Sequence, residues 1–290
     1  MTTRATGVVG GTMETSATFI GTATVLLRLG AFTMLTDPNF LHRGQRAYLG
    51  HGLWSKRLTE PALGPDELPP LDGIVLSHLH GDHFDREARR HLPRDVPVLT
   101  TVAAARRLRK WHFDAAVGLP AWDDVVLRHA NETLRVTSVP ARHGPTGPHL
   151  ALPATMGSIL DWEVDGVRRL RLYISGDTRF NRRVLGDIPR RFPDVDTMLV
   201  HLGGTRVLGL LVTMDARDGV RLANLVRPER IIPIHYDDYG VFRDPLSNFL
   251  QPGVTARMDG VVTPILRGET VDLAPGVVRA ANSASTSAGT

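Results

Sequence analysis

The sequence predicts a layered α/β domain. Short apolar runs that read as strands are grouped toward both ends of the chain, with helical patterns between and after them. Histidines and aspartates recur where those strands end, and in layered α/β folds the carboxyl ends of strands form a common rim. The chain has 290 residues, 42% apolar and 22% charged, enough for one large core.

The elements follow in order. "TATVLLRL" and "AFTMLTDP" predict two short strands joined at Gly30. Asn39 to Pro70 is dense in Gly, Pro and Arg and predicts a long loop of the kind that often carries function. A strand "GIVLS", a helix from Asp85 to His91, a strand "VPVLTT" and a helix from Val102 to Trp111 come next. The second half gives "TLRVTSVPA", then "GSILDWEV" turning at Asp165 and Gly166 into "RRLRLYISGD", a helix around Arg182 to Phe192, and "DTMLVHL". A helix from Asp215 to Val226, the strand "RIIPIH" and short strands in "VVTPILRG" and "ETVDLAP" complete a single domain over residues 1–278. Residues 279–290, ending "ANSASTSAGT", are small and polar and predict a disordered tail.

Composition narrows the function. With no cysteine, any metal must sit on histidine and carboxylate. The net charge is +4 and the pI about 9.9, but the basic residues are spread along the chain, and Lys56 and Lys110 are the only lysines. "RRLRK" and "RRLRLY" alternate with apolar residues as a solvated helix face and a half-buried strand do, so no nucleic-acid partner is expected. No run of about eighteen apolar residues and no signal peptide is visible, so we expect no membrane span and a cytoplasmic location.

One stretch, "LSHLHGDHFD" (Leu76–Asp85), crowds chemistry together. On a loop leaving a strand, His78, His80, Asp82 and His83 can converge; on an exposed helix they would point apart. His143 follows "LRVTSVPA", Asp177 follows "RLYISG" and His235 closes "RIIPI", so separate strands deliver like side chains to one rim. The chain has no G-x-S-x-G elbow, no P-loop and no H-E-x-x-H.

The H-x-H-x-D-H run of His78, His80, Asp82 and His83, with His143, Asp177 and His235 behind it, resembles the metallo-β-lactamase superfamily. "TFIGTATVLLRLGAFTMLTDP" and "VTMDARDGVRLANLVRPERIIPIHYDDY" resemble the branch of ascorbate-6-phosphate lactonase and N-acyl-phosphatidylethanolamine phospholipase D. The resemblance implies a four-layer αββα sandwich, which the strand count supports. It implies that His78, His80 and His143 hold one divalent metal, that Asp82, His83 and His235 hold a second, and that Asp177 bridges them. Zinc is the expected metal, with manganese or iron as alternatives. A bridging hydroxide would be the nucleophile, with Asp82 a proton shuttle to the leaving group. The implied function is a dinuclear hydrolase, of lactonase or phosphodiesterase type, acting on a small anionic ester, phosphodiester or lactone. An iron-dependent oxidoreductase of the same fold is the alternative, and a nucleic-acid processing enzyme is a second, although nuclease relatives carry an inserted domain for which these spacings leave no room.

Beyond the ligands, Asp37 in "LTDP" resembles the family's first-motif aspartate, which orients a ligand histidine. His201 ends a strand near the same rim and is a candidate for substrate binding or a supporting hydrogen bond. Tyr236 and Asp238 are candidates for the mouth or for a solvated loop, and Arg43, Arg46 and Arg179 for a cationic entrance. His42, His51, His91, His112, His129 and His149 are expected at the surface.

Overall fold

The computed structural model describes residues 14–144, 152–207 and 209–274; His149 and the expected tail lie outside them. The chain opens with an antiparallel meander, β1 (Thr15–Gly21), β2 (Thr24–Leu29) and β3 (Phe32–Thr36). The first of these strands was not among the sequence expectations. The long loop that follows is built rather than open: it holds a small hairpin, β4 (Arg46–Tyr48) with β5 (Trp54–Lys56), and a single 3-10 turn at Pro65–Glu67. Strand β6 (Gly73–Leu76) then pairs parallel with β3. Helix α1 (Arg86–His91) starts where the Asp85 carboxylate accepts the Ala88 N–H, β7 (Val98–Thr100) lies beside β6, and α2 (Val102–Arg109) starts on the Thr101 hydroxyl. Strand β8 (Ala116–Gly118) ends this half.

The second half is a near copy in outline. Strands β9 (Asp124–His129), β10 (Glu132–Pro140), β11 (Met156–Val164) and β12 (Val167–Ile174) form an antiparallel meander. The single helix expected over Arg182 to Phe192 is instead two one-turn helices, α3 (Arg182–Leu185) and α4 (Ile188–Arg191). Pro189 has no N–H to continue a helix through Gly186 and Asp187, and it sits in the first turn of α4, where that donor is not needed. Strand β13 (Thr197–His201), the hairpin β14 (Arg206–Val207) and β15 (Leu210–Leu211), α5 (Ala216–Val226) and β16 (Arg230–Ile234) follow. Short helices α6 (Leu246–Phe249) and α7 (Pro252–Thr255) lead to β17 (Val261–Val262) and β18 (Thr270–Asp272).

Two seven-stranded mixed sheets result, ordered β18-β1-β2-β3-β6-β7-β8 and β17-β16-β13-β12-β11-β10-β9. Alternation sorts the side chains of the first sheet: Val75 and Leu99 face the inter-sheet core with Leu27, Val136 and Leu172, while Ile74, Leu76 and Val98 face α1 and α2 through Ala88 and Leu108. On the far side, Leu222 and Ala223 of α5 belong to the continuous core of the second sheet. The fold is an αββα sandwich, as expected.

Sheet geometry sets one backbone requirement beside the rim. Gly176 has φ +60°, and a Cβ there would lie 2.3 Å from the Met156 carbonyl oxygen. Gly176→Ala should therefore destabilise the protein by more than about 1 kcal/mol, seen as a lower denaturant midpoint at unchanged slope; an unchanged midpoint would show that the β11 edge yields freely.

Candidate metal centre

Both sheets feed one cluster. The first sends Asp37 from the end of β3 and His78, His80, Asp82 and His83 from the loop after β6; the second sends His201 from the last position of β13 and His143, Asp177 and His235 from beyond β10, β12 and β16. All of these side chains are buried. The β6 loop folds tightly, with the N–H groups of His83 and Phe84 both donating to the His80 carbonyl at 3.0 and 2.9 Å. Leu79 and Phe84 turn the other way, into the apolar layer beneath α1 and α2. His235 adopts φ +61°, held there by its N–H on the Thr22 carbonyl at 2.7 Å. A left-handed histidine costs on the order of 1–3 kcal/mol, and such strain gathers at functional sites.

Among the described residues four groups bring their donor atoms within 4.8 Å of one another: His78, His80 and His143; Asp82, His83 and His235; His78, His83 and Asp177; and Asp37, His83 and His201. The first two are the sets the resemblance implies, taken here as a first and a second group. His80 Nδ1 lies 3.0 Å from His78 Nε2 and 3.4 Å from His143 Nε2. In the second group Asp82 Oδ2 lies 3.5 Å from His235 Nε2 and 4.0 Å from His83 Nε2. Asp177 reaches both: Oδ2 is 3.3 Å from His83 Nε2 and 3.9 Å from His143 Nε2, and Oδ1 is 3.7 Å from His235 Nε2.

The residues fit a metal. His83 Nε2, His235 Nε2, Asp82 Oδ1 and Asp177 Oδ1 are buried with no hydrogen-bond partner, an arrangement that costs several kcal/mol unless a cation satisfies them. Outer partners fix the ring tautomers. His143 Nδ1 donates to the Val212 carbonyl at 2.9 Å and His235 Nδ1 to the Leu202 carbonyl at 3.3 Å, which leaves each Nε2 lone pair facing inward. Asp37 does the same for His83, with Oδ2 3.3 Å from its Nδ1, while Oδ1 accepts the Ser77 N–H at 2.7 Å and hydroxyl at 2.9 Å. Asp37 thus joins the His83 ring to the start of the loop that carries it.

His201 stands behind the cluster. Its Nε2 is 3.4 Å from Asp37 Oδ2, its Nδ1 is 3.2 Å from the Ser175 hydroxyl, and its ring stacks on His83 at 6.0 Å. Both of its nitrogens are engaged inside the fold. Tyr236 is not brought into the cluster: its ring meets Phe19 at 6.2 Å and its hydroxyl lies 3.5 Å from the Ile265 carbonyl. Asp238 is neither at a mouth nor solvated; it is fully buried, 3.4 Å from Arg57 and 3.1 Å from Arg267, and accepts the Thr22 N–H at 2.7 Å. Arg179 is no entrance cation, since its guanidinium is spent on Asp218 at 2.6 Å and the Leu211 carbonyl at 2.8 Å. Arg43 and Arg46 are exposed, as are His42, His51, His91, His112 and His129.

Sequence reasoning passed over a buried polar brace beside the centre. Arg57 and Asn39 are fully buried and bonded to each other; Asn39 also takes the Tyr239 hydroxyl at 3.0 Å and donates to the Gly81 carbonyl at 2.9 Å. It ties the loop after β3, the H-x-H-x-D-H loop and the segment after His235 together. The signal available was an aspartate and a tyrosine just past the last ligand in "HYDDY".

A metal-dependent hydrolase is the class that this sandwich and its His–Asp centre define. The chain belongs to the metallo-β-lactamase superfamily, the beta-lactamase superfamily domain matching residues 33–236. It is 26% identical over 235 residues to the N-acyl-phosphatidylethanolamine-hydrolyzing phospholipase D 1 of Caenorhabditis elegans, 77% of this chain and 64% of that protein. The chain thus spans less than two thirds of that relative's length. It is 28% identical over 262 residues to a metal-dependent hydrolase of Carboxydothermus hydrogenoformans, 88% of this chain and 99% of the relative. In fold it is similar to the isothiocyanate hydrolase from Delia radicum gut bacteria, with TM-score 0.73, 18% identity and coverage of 88% and 98% of the two chains. Among the described residues no helix is long and apolar enough to cross a membrane.

Charge in the centre is unevenly held. Burial opposes a charged His83, yet Asp177, Asp37 and Asp82 raise it well above the usual histidine range, and Asp177 and Asp82 also raise His235 against burial. Burial and neighbouring rings lower His78, and lower His80 to about 3. In the metal-free protein His83 and His235 should therefore hold a proton more tightly than an ordinary histidine, and a cation must expel it. Calorimetric titration in buffers of different ionisation enthalpy should show proton release, with affinity still rising with pH above 6.5; pH-independent binding without release would contradict this charge assignment. Asp37→Asn should weaken metal affinity by about 10- to 100-fold in a chelator competition, as the loss of an orienting partner does. Unchanged affinity would make Asp37 a structural turn residue only.

Proposed function

We propose that the protein is a dinuclear hydrolase acting on a small anionic ester, phosphodiester or lactone. The observation that carries the reading is Asp177, whose carboxylate lies within reach of both histidine groups. Zinc suits imidazole and carboxylate donors, and manganese and iron suit them too. Two bound cations would acidify the water near them and neutralise the oxyanion of an attacked carbonyl or phosphoryl group.

The chain's own residues do the remainder. His78, His80 and His143 offer neutral donors, and Asp82, Asp177 and the other histidines complete a set able to hold two dications. Asp82 keeps one buried oxygen with no protein partner, and the adjoining His83 and His235 hold its carboxyl below the usual range, so in this reading it would take up a proton only in transit to a leaving group. The phosphodiester and lactone classes are supported by the relative that hydrolyses N-acyl-phosphatidylethanolamine and by the T-D-P turn around Asp37.

The test is reconstitution with zinc, manganese or iron followed by a panel of phosphodiesters, lactones and thioesters. Elemental analysis should find close to two metals per chain, and at least one ester of the panel should turn over. Asp177→Ala should bind at most one metal and lose more activity than the roughly 10- to 100-fold typical of an outer-partner loss, with its circular dichroism unchanged. Oxidation of a thiol or persulfide by the iron form, with every ester ignored, would replace the hydrolase reading with the oxidoreductase one.

A further inference from the structure

The H-x-H-x-D-H loop has a second face. Leu79 and Gly81 alternate with His80 and Asp82, and they line a cavity of about 270 Å³ to which no member of the metal cluster contributes. The β4–β5 hairpin forms one wall with Tyr48 and Trp54, while α1 forms another with Arg86 and Arg89. Trp111 and Phe84 supply apolar surface within.

Two properties of the lining point to a ligand. Tyr48 and Trp54 are 46% and 56% exposed, with ring centroids 4.9 Å apart, so an aromatic pair stands at the opening with little covering it. The charge beside it is unbalanced. Arg46, also in the lining, has no side-chain partner among the described residues, and the Arg89 guanidinium lies over the Trp111 ring at 4.4 Å without an acidic partner among them. Arg86 has Glu87 at 3.2 Å, and the one carboxylate in the lining, Asp85, is occupied by the N–H groups of Phe40, Leu41 and Ala88.

We propose that this cavity is a second ligand site, separate from the metal centre, for a small organic anion. Its carboxylate or phosphate head would pair with Arg46 and Arg89, and its aromatic body would pack on Tyr48 and Trp54. A cavity of about 150 Å³ already admits a benzene ring, so the volume suffices for one ring and its head. Guanidinium and aromatic surfaces together select amphipathic anions over either inorganic anions or neutral rings. The site does not depend on the hydrolase reading.

The probes are phenylacetate and phenyl phosphate, followed by calorimetric titration and by the fluorescence of Trp54 and Trp111 on chelator-treated and on metal-reconstituted protein. The expected result is binding of at least one in both forms, not reproduced by benzyl alcohol or inorganic phosphate; the tighter of the two identifies the head group. Arg46→Ala with Arg89→Ala should weaken binding about tenfold or more, as the loss of charge-assisted contacts does. Trp54→Ala, at an exposed position, should weaken it too while leaving the thermal midpoint in place. Equal binding by both variants, equal binding of benzyl alcohol, or loss of binding on metal loading would overturn the proposal, and none of these bears on ester hydrolysis.

Discussion

The Asp37 carboxylate is the contact on which the centre depends. One of its oxygens fixes the loop after β6 through the N–H and hydroxyl of Ser77, and the other lies between His83 and His201, which come from different sheets. Burial would ordinarily raise such a carboxyl, yet the adjoining His83 and His201 lower it to about 2. Its negative charge is therefore permanent and can hold the ring of a ligand in one orientation. The two sheets meet at their rim through this group, so ligands delivered by separate strands share a single frame.

The same rim concentrates donors that repel or desolvate one another. Three neutral histidines form one part of the cluster, while two carboxylates and two rings pulled toward protonation form the other. Without a cation those charges are satisfied only by each other, and several inward atoms have nothing to bond. A site of this kind favours whatever supplies positive charge without protons. Metal binding is then coupled to folding, because the bound form removes the desolvation cost that the bare cluster carries.

Much of this was legible because strand ends are read from local patterns. "GIVLS", "RLYISG" and "RIIPI" mark their own carboxyl ends, and the donor residues follow at once, so His78, Asp177 and His235 could be assigned to one rim before any geometry was known. What stayed hidden were relations between segments far apart in sequence. Nothing near His201 says that Asp37 is its partner, 164 residues away, and nothing in "HYDDY" says that Asp238 will be buried against Arg57, 181 residues away. Edge strands such as β8 and β9 escaped for a different reason: β9 is largely half-buried or exposed, so its apolar alternation is weak.

The long loop shows how packing overrides a composition signal. Gly, Pro and Arg predicted a long loop, but Leu41, Ala47 and Leu49 form a small core with Tyr239, and the hairpin's backbone lies directly on the loop that carries His78 to His83. The Gly81 N–H donates to the Tyr48 carbonyl at 2.9 Å, and a Cβ on Gly81 would lie 2.8 Å from Tyr48 backbone atoms. Gly81 is therefore needed for the close approach of two chains, not for an unusual dihedral. Because Arg57 at the end of the hairpin is bonded to Asn39, and Asn39 to Gly81, the hairpin and the ligand loop are braced as one unit. Substitutions that displace the hairpin backbone are then transmitted to the loop of His78 to His83, whereas an exposed side chain of the hairpin such as Trp54 can change without moving it.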